Sequence, residues 1–228
     1  MALRIPGPPW FWTIWEVLSI LGLLHSQGLL LSPQRLCSEM ASRLRNRLGA
    51  PTCKVRVLLP TWAIGTASLF TLGVASGLMC LSSILAVRSM LKPALELVLV
   101  LVAPGLVEEL IFRVLLLPAA QQGGLGDLLV VQPNPPPAPA GVPCRWPHRW
   151  SRQEAAALAI FLLYHLDVMH AGPMRVVFTD LRFLAMAAVL GWACTEAVHL
   201  SGSVWPGALM HGTWVWSWIA FAKCPLPP

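Results

Sequence analysis

The apolar stretch of residues 97–117 carries three ionisable side chains, Glu108, Glu109 and Arg113. A run of about 20 predominantly apolar residues is long enough to cross a bilayer as a helix. Each ionised group at mid-membrane costs about 2.5–3.5 kcal/mol, so three groups without partners would cost about 7–10 kcal/mol. The stretch therefore predicts a transmembrane helix whose charged groups have partners and serve a function.

Helical spacing predicts that two of these three charged groups form a pair. Glu109 and Arg113 are four residues apart, so they lie on one face of a helix and can form an ion pair. Glu108 lies about 100° around the helix and has no cation three or four residues further along. We therefore expect the partner of Glu108 to come from another helix or from water.

The composition is that of a membrane protein. Of the 228 residues, 56% are hydrophobic and 11% are charged, whereas a soluble domain carries about 25% charged residues. The 11 tryptophans fit a protein with aromatic anchors at the membrane interface. Arginines and lysines that flank membrane spans account for the net charge of +6, and no basic stripe is interleaved with aromatics. We therefore expect the lipid bilayer, and not nucleic acid, to be a partner.

Six apolar segments predict an all-α, polytopic membrane bundle of about six transmembrane helices, so that the chain is an integral, multi-pass membrane protein. The segments are residues 11–31, 57–87, 97–117, 155–169, 183–198 and 204–222. The second is long for one span, which indicates a tilt or a bend near Gly73 and Gly77. These two glycines form a G-x-x-x-G pair, a weak signal for close helix approach.

Two connectors divide the chain. Residues 32–56 are polar and basic, and residues 33–48 are predicted to form a basic surface helix on anionic lipid. Residues 119–152 are proline-rich and are predicted to be a loop. We divide the chain into residues 1–56, an N-terminal helix with its connector, and residues 57–228, a helical membrane domain that contains the loop. The side with both connectors has more Arg and Lys, so we expect it to be cytoplasmic.

Several other side chains, among them the cysteines, are not predicted to belong to a functional site. The six cysteines form no C-x-x-C motif, which argues against a zinc ribbon and a disulfide framework. Cys194 lies in an apolar segment and is predicted to be a small packing residue. Glu196 and His199 are three residues apart and are predicted to form an interfacial pair.

Polar side chains on three predicted helices reach a similar depth in the bilayer. Measured from the cytoplasmic end at 1.5 Å per residue, Glu108 lies about 13 Å deep, His165 about 15 Å and His211 about 11 Å. A lone histidine in an apolar helix is usually a core residue, but two at the level of a carboxylate pair indicate a site. These residues suit the activation of water, with Glu108 as general base and the two histidines holding the water and an oxyanion.

A metal is the alternative use of the same residues. Glu108, His165 and His211 can also bind a divalent ion such as zinc through a His₂Glu set. Residue types and spacing do not choose between the two mechanisms.

Three motifs occur in a specific order along the chain. EELIFR (108–113) has the pattern EExxxR, FLLYH (161–165) has the pattern FxxxH, and GSVWPGALMH (202–211) forms a third block. Together they resemble the CAAX-processing and bacteriocin-processing family of intramembrane endopeptidases, which includes prenyl-protein proteases and lysostaphin-resistance-like proteins. The resemblance covers about residues 93–222.

The resemblance implies an all-helical membrane protease that hydrolyses a peptide bond of a membrane-anchored or prenylated protein substrate. In the family the first glutamate of EExxxR activates water, which corresponds to Glu108. The second glutamate pairs with the arginine, which corresponds to Glu109 and Arg113, and the two histidines correspond to His165 and His211. We favour a glutamate mechanism with no cofactor, and zinc is the alternative.

The chain departs from the family pattern at Val215, where the family has Asn or Asp four residues after the histidine. Valine has no polar group to hold an oxyanion or to complete a metal shell, and we do not expect Thr213 or Trp214 to replace one. The departure favours an alternative function, a catalytically weak or inactive relative that acts as a membrane scaffold or binding protein. A proton-relay transporter is a third hypothesis, which no inverted repeat or broken-helix pair supports.

Overall fold

The computed structural model describes residues 9–51, 55–79, 91–117, 150–168 and 175–219, and these are helices joined by turns and short connections. In chain order the helices are α1 (Pro9–Ser26), α2 (Pro33–Arg47), α3 (Val55–Ala75), α4 (Leu91–Val100), α5 (Arg152–Val168), α6 (Arg175–Phe178), α7 (Leu181–Ser201) and α8 (Trp205–Ser217). Between α4 and α5 lies the motif helix, which consists of the consecutive pieces Leu101–Leu106, Val107–Glu109 and Leu110–Leu115. The predicted all-α fold is confirmed.

Within the described residues, two helices, α3 and α7, are long and apolar enough to cross a bilayer. α7 is mostly buried and is the central helix, with α3, α5 and α8 packed against it. α1 and α3 instead leave large apolar side chains exposed on the outside of the bundle, among them Trp15, Leu18 and Leu59. An outer surface of this kind suits contact with lipid.

α1 is shorter than the predicted segment of residues 11–31. Gly28 has a left-handed backbone with φ of 67°, and its N–H donates to the carbonyl of His25 over 2.8 Å. Glycine takes this conformation without steric cost, so it ends the helix. The chain continues through a 3₁₀ turn, Leu29–Leu31.

The helix predicted for residues 33–48 is present as α2. It is not confined to the surface, because one of its side chains is buried in the protein. Ser32 caps it by accepting a hydrogen bond from the N–H of Arg35 over 3.4 Å, and Pro33 occupies the first turn. The side chain of Arg43 is buried and points into the protein.

α3 accounts for only the first part of the predicted segment of residues 57–87. The helix ends at Ala75, and Gly77 follows with a left-handed φ of 74°. Gly73 is buried beside Met79 and Met186 of α7. Within this chain, therefore, one glycine of the G-x-x-x-G pair packs against α7 and the other serves the turn. Residues 80–90 lie outside the described residues.

The helix predicted over residues 97–117 is present but bends at one point. Ala103 is extended, with φ of −136° and ψ of 112°, because it precedes Pro104. Proline disfavours the helical region for the residue before it and has no N–H to donate. Two π-helical pieces flank the Glu108–Glu109 pair, and short π segments are frequent at functional sites.

Local capping places the remaining helices. Ser151 and Glu154 form a reciprocal capping box at the start of α5, with N–H to side-chain oxygen distances of 2.7 and 3.1 Å. Asp180 caps α7 at its N-terminus, and Gly202, with φ of 68°, ends it. The short turn that follows sends α8 back along α7. Within the predicted loop of residues 119–152, positions 119–149 lie outside the described residues.

Candidate active site

The backbones of α8 and the motif helix touch at small residues. A Cβ atom on Gly105 would lie 3.1 Å from the carbonyl oxygen of Ala208 and 3.2 Å from Cα of Gly212. A Cβ atom on Gly212 would lie 2.8 Å from Cα of Leu101. Small residues four apart allow helices to approach this closely. The approach brings His211, which lies between Ala208 and Gly212, beside the glutamates.

Glu109 is the centre of the polar cluster. Its side chain is fully buried, and its Oε1 lies 2.8 Å from Nδ1 of His211 and 3.3 Å from Nη1 of Arg113. The predicted ion pair between Glu109 and Arg113 is therefore present. A histidine from α8 also shares the same carboxylate oxygen, which the spacing within one helix did not indicate.

Arg113 links the motif helix to α5 and α7. The centre of its guanidinium lies 4.3 Å from the ring centroid of Phe161, a cation–π distance. Its Nη2 donates to the carbonyl of Gly191 over 3.2 Å. A Cβ atom on Gly191 would lie 2.9 Å from that same nitrogen, so only glycine leaves room for the contact.

Glu108 has its partner on another helix, as its position predicted. Its Oε2 lies 3.7 Å from Nε2 of His211, which is too long for a hydrogen bond. The same oxygen is buried and has no hydrogen-bond partner among the described residues. Since Nδ1 of His211 is bound to Glu109, the ring presents Nε2 to Glu108.

His165 lies beside this cluster rather than in direct contact with it. Its Nδ1 is 2.8 Å from the carbonyl oxygen of Phe161, which leaves Nε2 as the nitrogen for a ligand. The ring of Phe161 contacts both His165, at a centroid distance of 4.4 Å, and His211, at 6.0 Å. Phe178 and Phe183 also pack against His165.

The members of the cluster differ in how much of their surface is exposed. Glu108 and His165 keep 7% and 9% of their surface exposed, whereas Glu109 and His211 keep 0% and 1%. A small molecule that enters the cluster therefore meets Glu108 and His165 first. Of the five predicted site residues, Glu108, Glu109, Arg113 and His211 are brought together, and His165 joins them through Phe161.

Cys194 is a neighbour of the cluster that the sequence did not assign to it. It belongs to the apolar core, as predicted. Its Sγ also lies within 4.8 Å of a ligand atom of Glu109 and one of His211, and it donates to the carbonyl of Gly207 over 3.5 Å. The one available signal is that Cys194 follows Gly191 by three residues, so both lie on the site face of α7.

The cluster fits a metal ion poorly. Among the described residues, the group whose ligand atoms lie within 4.8 Å of one another is Glu109, Cys194 and His211, and not the predicted set of Glu108, His165 and His211. The Glu109 oxygen nearest His211 already faces the guanidinium of Arg113 at 3.3 Å, and a divalent cation there would meet a fixed positive charge. The donor set and its charge therefore disfavour a divalent ion in this cluster.

The position of the family's Asn or Asp is apolar in structure as well as in sequence. Val215 packs against the apolar cluster that includes Cys194 and Met210. Thr213 donates to the carbonyl of Leu209 over 2.6 Å, and Trp214 donates to Thr66 over 3.2 Å. The two neighbours are thus engaged elsewhere.

Glu196 and His199 contact other residues than the cluster. Glu196 is fully buried and accepts a hydrogen bond from Nε1 of Trp150 over 2.9 Å. Nδ1 of His199 lies 3.6 Å from Oε1 of Glu154.

The described residues form an all-helical bundle with apolar side chains on its outside and a buried cluster of two glutamates, an arginine and a histidine, which is consistent with a helical membrane protein. A family model described as type II CAAX prenyl endopeptidase Rce1-like matches residues 90–217, more than half of the chain. The chain belongs to this family, which confirms the resemblance seen in its motifs, and membership supports a CAAX-type intramembrane protease in general. Comparison with curated proteins and with solved structures gave no significant match.

Proposed function

We propose that the chain is a glutamate-dependent intramembrane endopeptidase that cleaves a prenylated or membrane-anchored protein tail. One observation carries the mechanism: Oε2 of Glu108 is buried, has no hydrogen-bond partner among the described residues, and lies 3.7 Å from Nε2 of His211. A carboxylate that is held near a histidine, and still reachable from outside, is suited to take a proton from water.

In the proposed reaction, Glu108 accepts a proton from water as the water oxygen attacks the scissile carbonyl carbon. The carbonyl oxygen becomes an oxyanion, for which Nε2 of His211 is the candidate hydrogen-bond donor when the ring carries a proton on both nitrogens. Nδ1 of His165 donates to the carbonyl of Phe161, so Nε2 of the neutral ring is placed to accept a hydrogen bond from the attacking water. The C–N bond then breaks, and the proton held by Glu108 passes to the leaving amine.

Glu109 and Arg113 serve the histidine rather than the water. Glu109 accepts a hydrogen bond from Nδ1 of His211 and thereby fixes which nitrogen faces Glu108. Arg113 balances the buried charge of Glu109 and is itself held by Phe161 and Gly191.

The surroundings of His165 favour a lipidated substrate. Its ring is packed by the aromatic rings of Phe161, Tyr164, Phe178 and Phe183. An apolar wall beside a histidine that keeps 9% of its surface exposed suits a peptide that arrives with a lipid tail attached. The CAAX prenyl endopeptidase description of the family names the same kind of substrate.

Paired peptides test this proposal. The purified protein is incubated with a peptide that ends in a farnesylated C-a-a-X sequence and with the same peptide without the farnesyl group, and His211→Ala is the blank. We expect cleavage after the modified cysteine of the farnesylated peptide by the wild type alone. Cleavage of both peptides at equal rates would contradict the lipidated substrate, and equal cleavage by His211→Ala would contradict the site.

A further inference from the structure

Arg43 of α2 is bound to the end of the motif helix. Its Nη1 donates to the carbonyl of Leu115 over 2.7 Å, and its Nε donates to Glu39 over 3.0 Å. Its Nη2 donates to Oε1 of Gln27 over 2.8 Å. The bound carbonyl belongs to a residue only two positions after Arg113.

Gln27 completes the same contact. Its Nε2 donates to the carbonyl of Leu116 over 2.9 Å. The last carbonyls of a helix have no partner within the helix, and a buried carbonyl without a partner costs free energy. Gln27 and Arg43 together therefore satisfy two such groups at the end of the helix that carries Glu108 and Glu109.

The C-terminal end of α2 is bound to the turn between α7 and α8. Nη1 of Arg47 donates to the carbonyl of Val198 over 3.2 Å, and the carbonyl of Arg47 accepts from the N–H of Val204 over 2.9 Å. The next two carbonyls also accept hydrogen bonds. The carbonyl of Leu48 accepts from Nε1 of Trp205 over 3.0 Å, and the carbonyl of Gly49 accepts from the hydroxyl of Ser203 over 2.6 Å.

We propose that α2 is a positioning element of the active site, in which Arg43 holds the motif helix and the residues from Arg47 to Gly49 hold the start of α8. The inference rests on the proposed function but concerns residues outside the family match at 90–217. Glu108 and His211 lie on the two elements that α2 joins, so α2 sets the separation of the reacting groups.

Arginine suits this task for physical reasons. Burial lowers the pKa of the Arg43 guanidinium, the hydrogen bond to Glu39 raises it, and arginine stays charged at neutral pH. The planar fork donates in three directions at once, which lysine cannot match. Arg45, two residues further along, is exposed and therefore serves as a matched control.

The test compares Arg43→Met, Arg43→Lys and Arg45→Met in a zwitterionic detergent. We expect Arg43→Met to lower kcat at least ~10-fold with little change in KM, because misplacement of reacting groups by about 1 Å is that costly. Arg43→Lys, which keeps one donor, should recover part of kcat, and Arg45→Met should equal the wild type. Gln27→Leu, a milder change to the same contact, replaces Arg43→Met if that protein does not fold.

Hydrogen exchange separates positioning from overall stability and from the proposed function. We expect Arg43→Met to speed amide exchange in residues 107–117 and to leave α3 unchanged, whereas Glu108→Gln should be inactive with wild-type exchange. Unchanged kcat in Arg43→Met, or faster exchange in all helices alike, would overturn the proposal. If the wild type cleaves no peptide, the proposed function fails, and the exchange pattern alone decides whether α2 positions the motif helix.

Discussion

Oε1 of Glu109 and Nδ1 of His211 lie 2.8 Å apart, and this contact joins the motif helix to α8. It occupies one nitrogen of the histidine and directs the other to Glu108, at 3.7 Å. In the proposed mechanism the two adjacent glutamates therefore have different tasks. Glu109 holds the histidine, and Glu108 takes a proton from water.

Loss of the Glu109 charge should lower the rate of peptide cleavage, although the replaced side chain still fills the same space. Glu109→Gln keeps the shape of the side chain but weakens the contacts with both His211 and Arg113, so we expect the rate of peptide cleavage to fall about 10²–10⁴-fold. Glu196→Gln is the control, because Glu196 is equally buried on α7 but bonded to Trp150. A similar loss in both variants would show that any buried carboxylate has this effect.

The contact between α8 and the motif helix should not tolerate a methyl group. Gly212→Ala places a Cβ atom 2.8 Å from Cα of Leu101, so we expect it to lower the free energy of unfolding by about 1–3 kcal/mol. Gly22→Ala, in α1, meets no atom within 4 Å and should be neutral or slightly stabilising. Unfolding by detergent titration measures both changes. Equal stability of the two variants would refute the close packing.

His165 should matter for its free nitrogen rather than for its ring. His165→Phe keeps an aromatic ring among Phe161, Phe178 and Phe183 but removes Nε2, the nitrogen that holds the attacking water, so we expect a loss of about 10²–10³-fold in kcat. The thermal midpoint should change little. Tyr164→Phe, next to it in the chain, should cleave at about the wild-type rate. A wild-type rate for His165→Phe would exclude a catalytic role.

Metal removal should leave the activity unchanged. Because the carboxylate nearest His211 is shared with Arg113, we expect purified protein to contain far less than one equivalent of zinc. A chelator should not lower the cleavage rate. One equivalent of zinc that is lost in His211→Ala, together with inhibition by the chelator, would contradict this prediction.

The sequence predicted the partners in the site better than the path of the backbone. The pairing of Glu109 with Arg113 follows from a spacing of four residues, and the need of Glu108 for a partner on another helix follows from the absence of a nearby cation. Both are local statements about one helix face. They hold although two pieces of that helix are π-helical and although it bends at Ala103.

The features that the sequence missed are contacts between distant segments. Nothing in the pattern around Arg43 distinguishes it from Arg45, since both lie in a polar helix with several arginines. Its burial depends on the end of the motif helix, 72 residues away along the chain. Cys194 was likewise predicted from its own apolar surroundings, which carry no information about the glutamate that packs beside it.

The cleavage rate of Glu108→Gln, relative to wild type on the same farnesylated peptide, tests the central claim most directly. The amide keeps the shape of the side chain and cannot accept a proton from water. The proposed mechanism predicts a loss of at least about 10²-fold, with unchanged folding of the variant. A rate within a few-fold of the wild type would contradict it, because water would then be activated by another group.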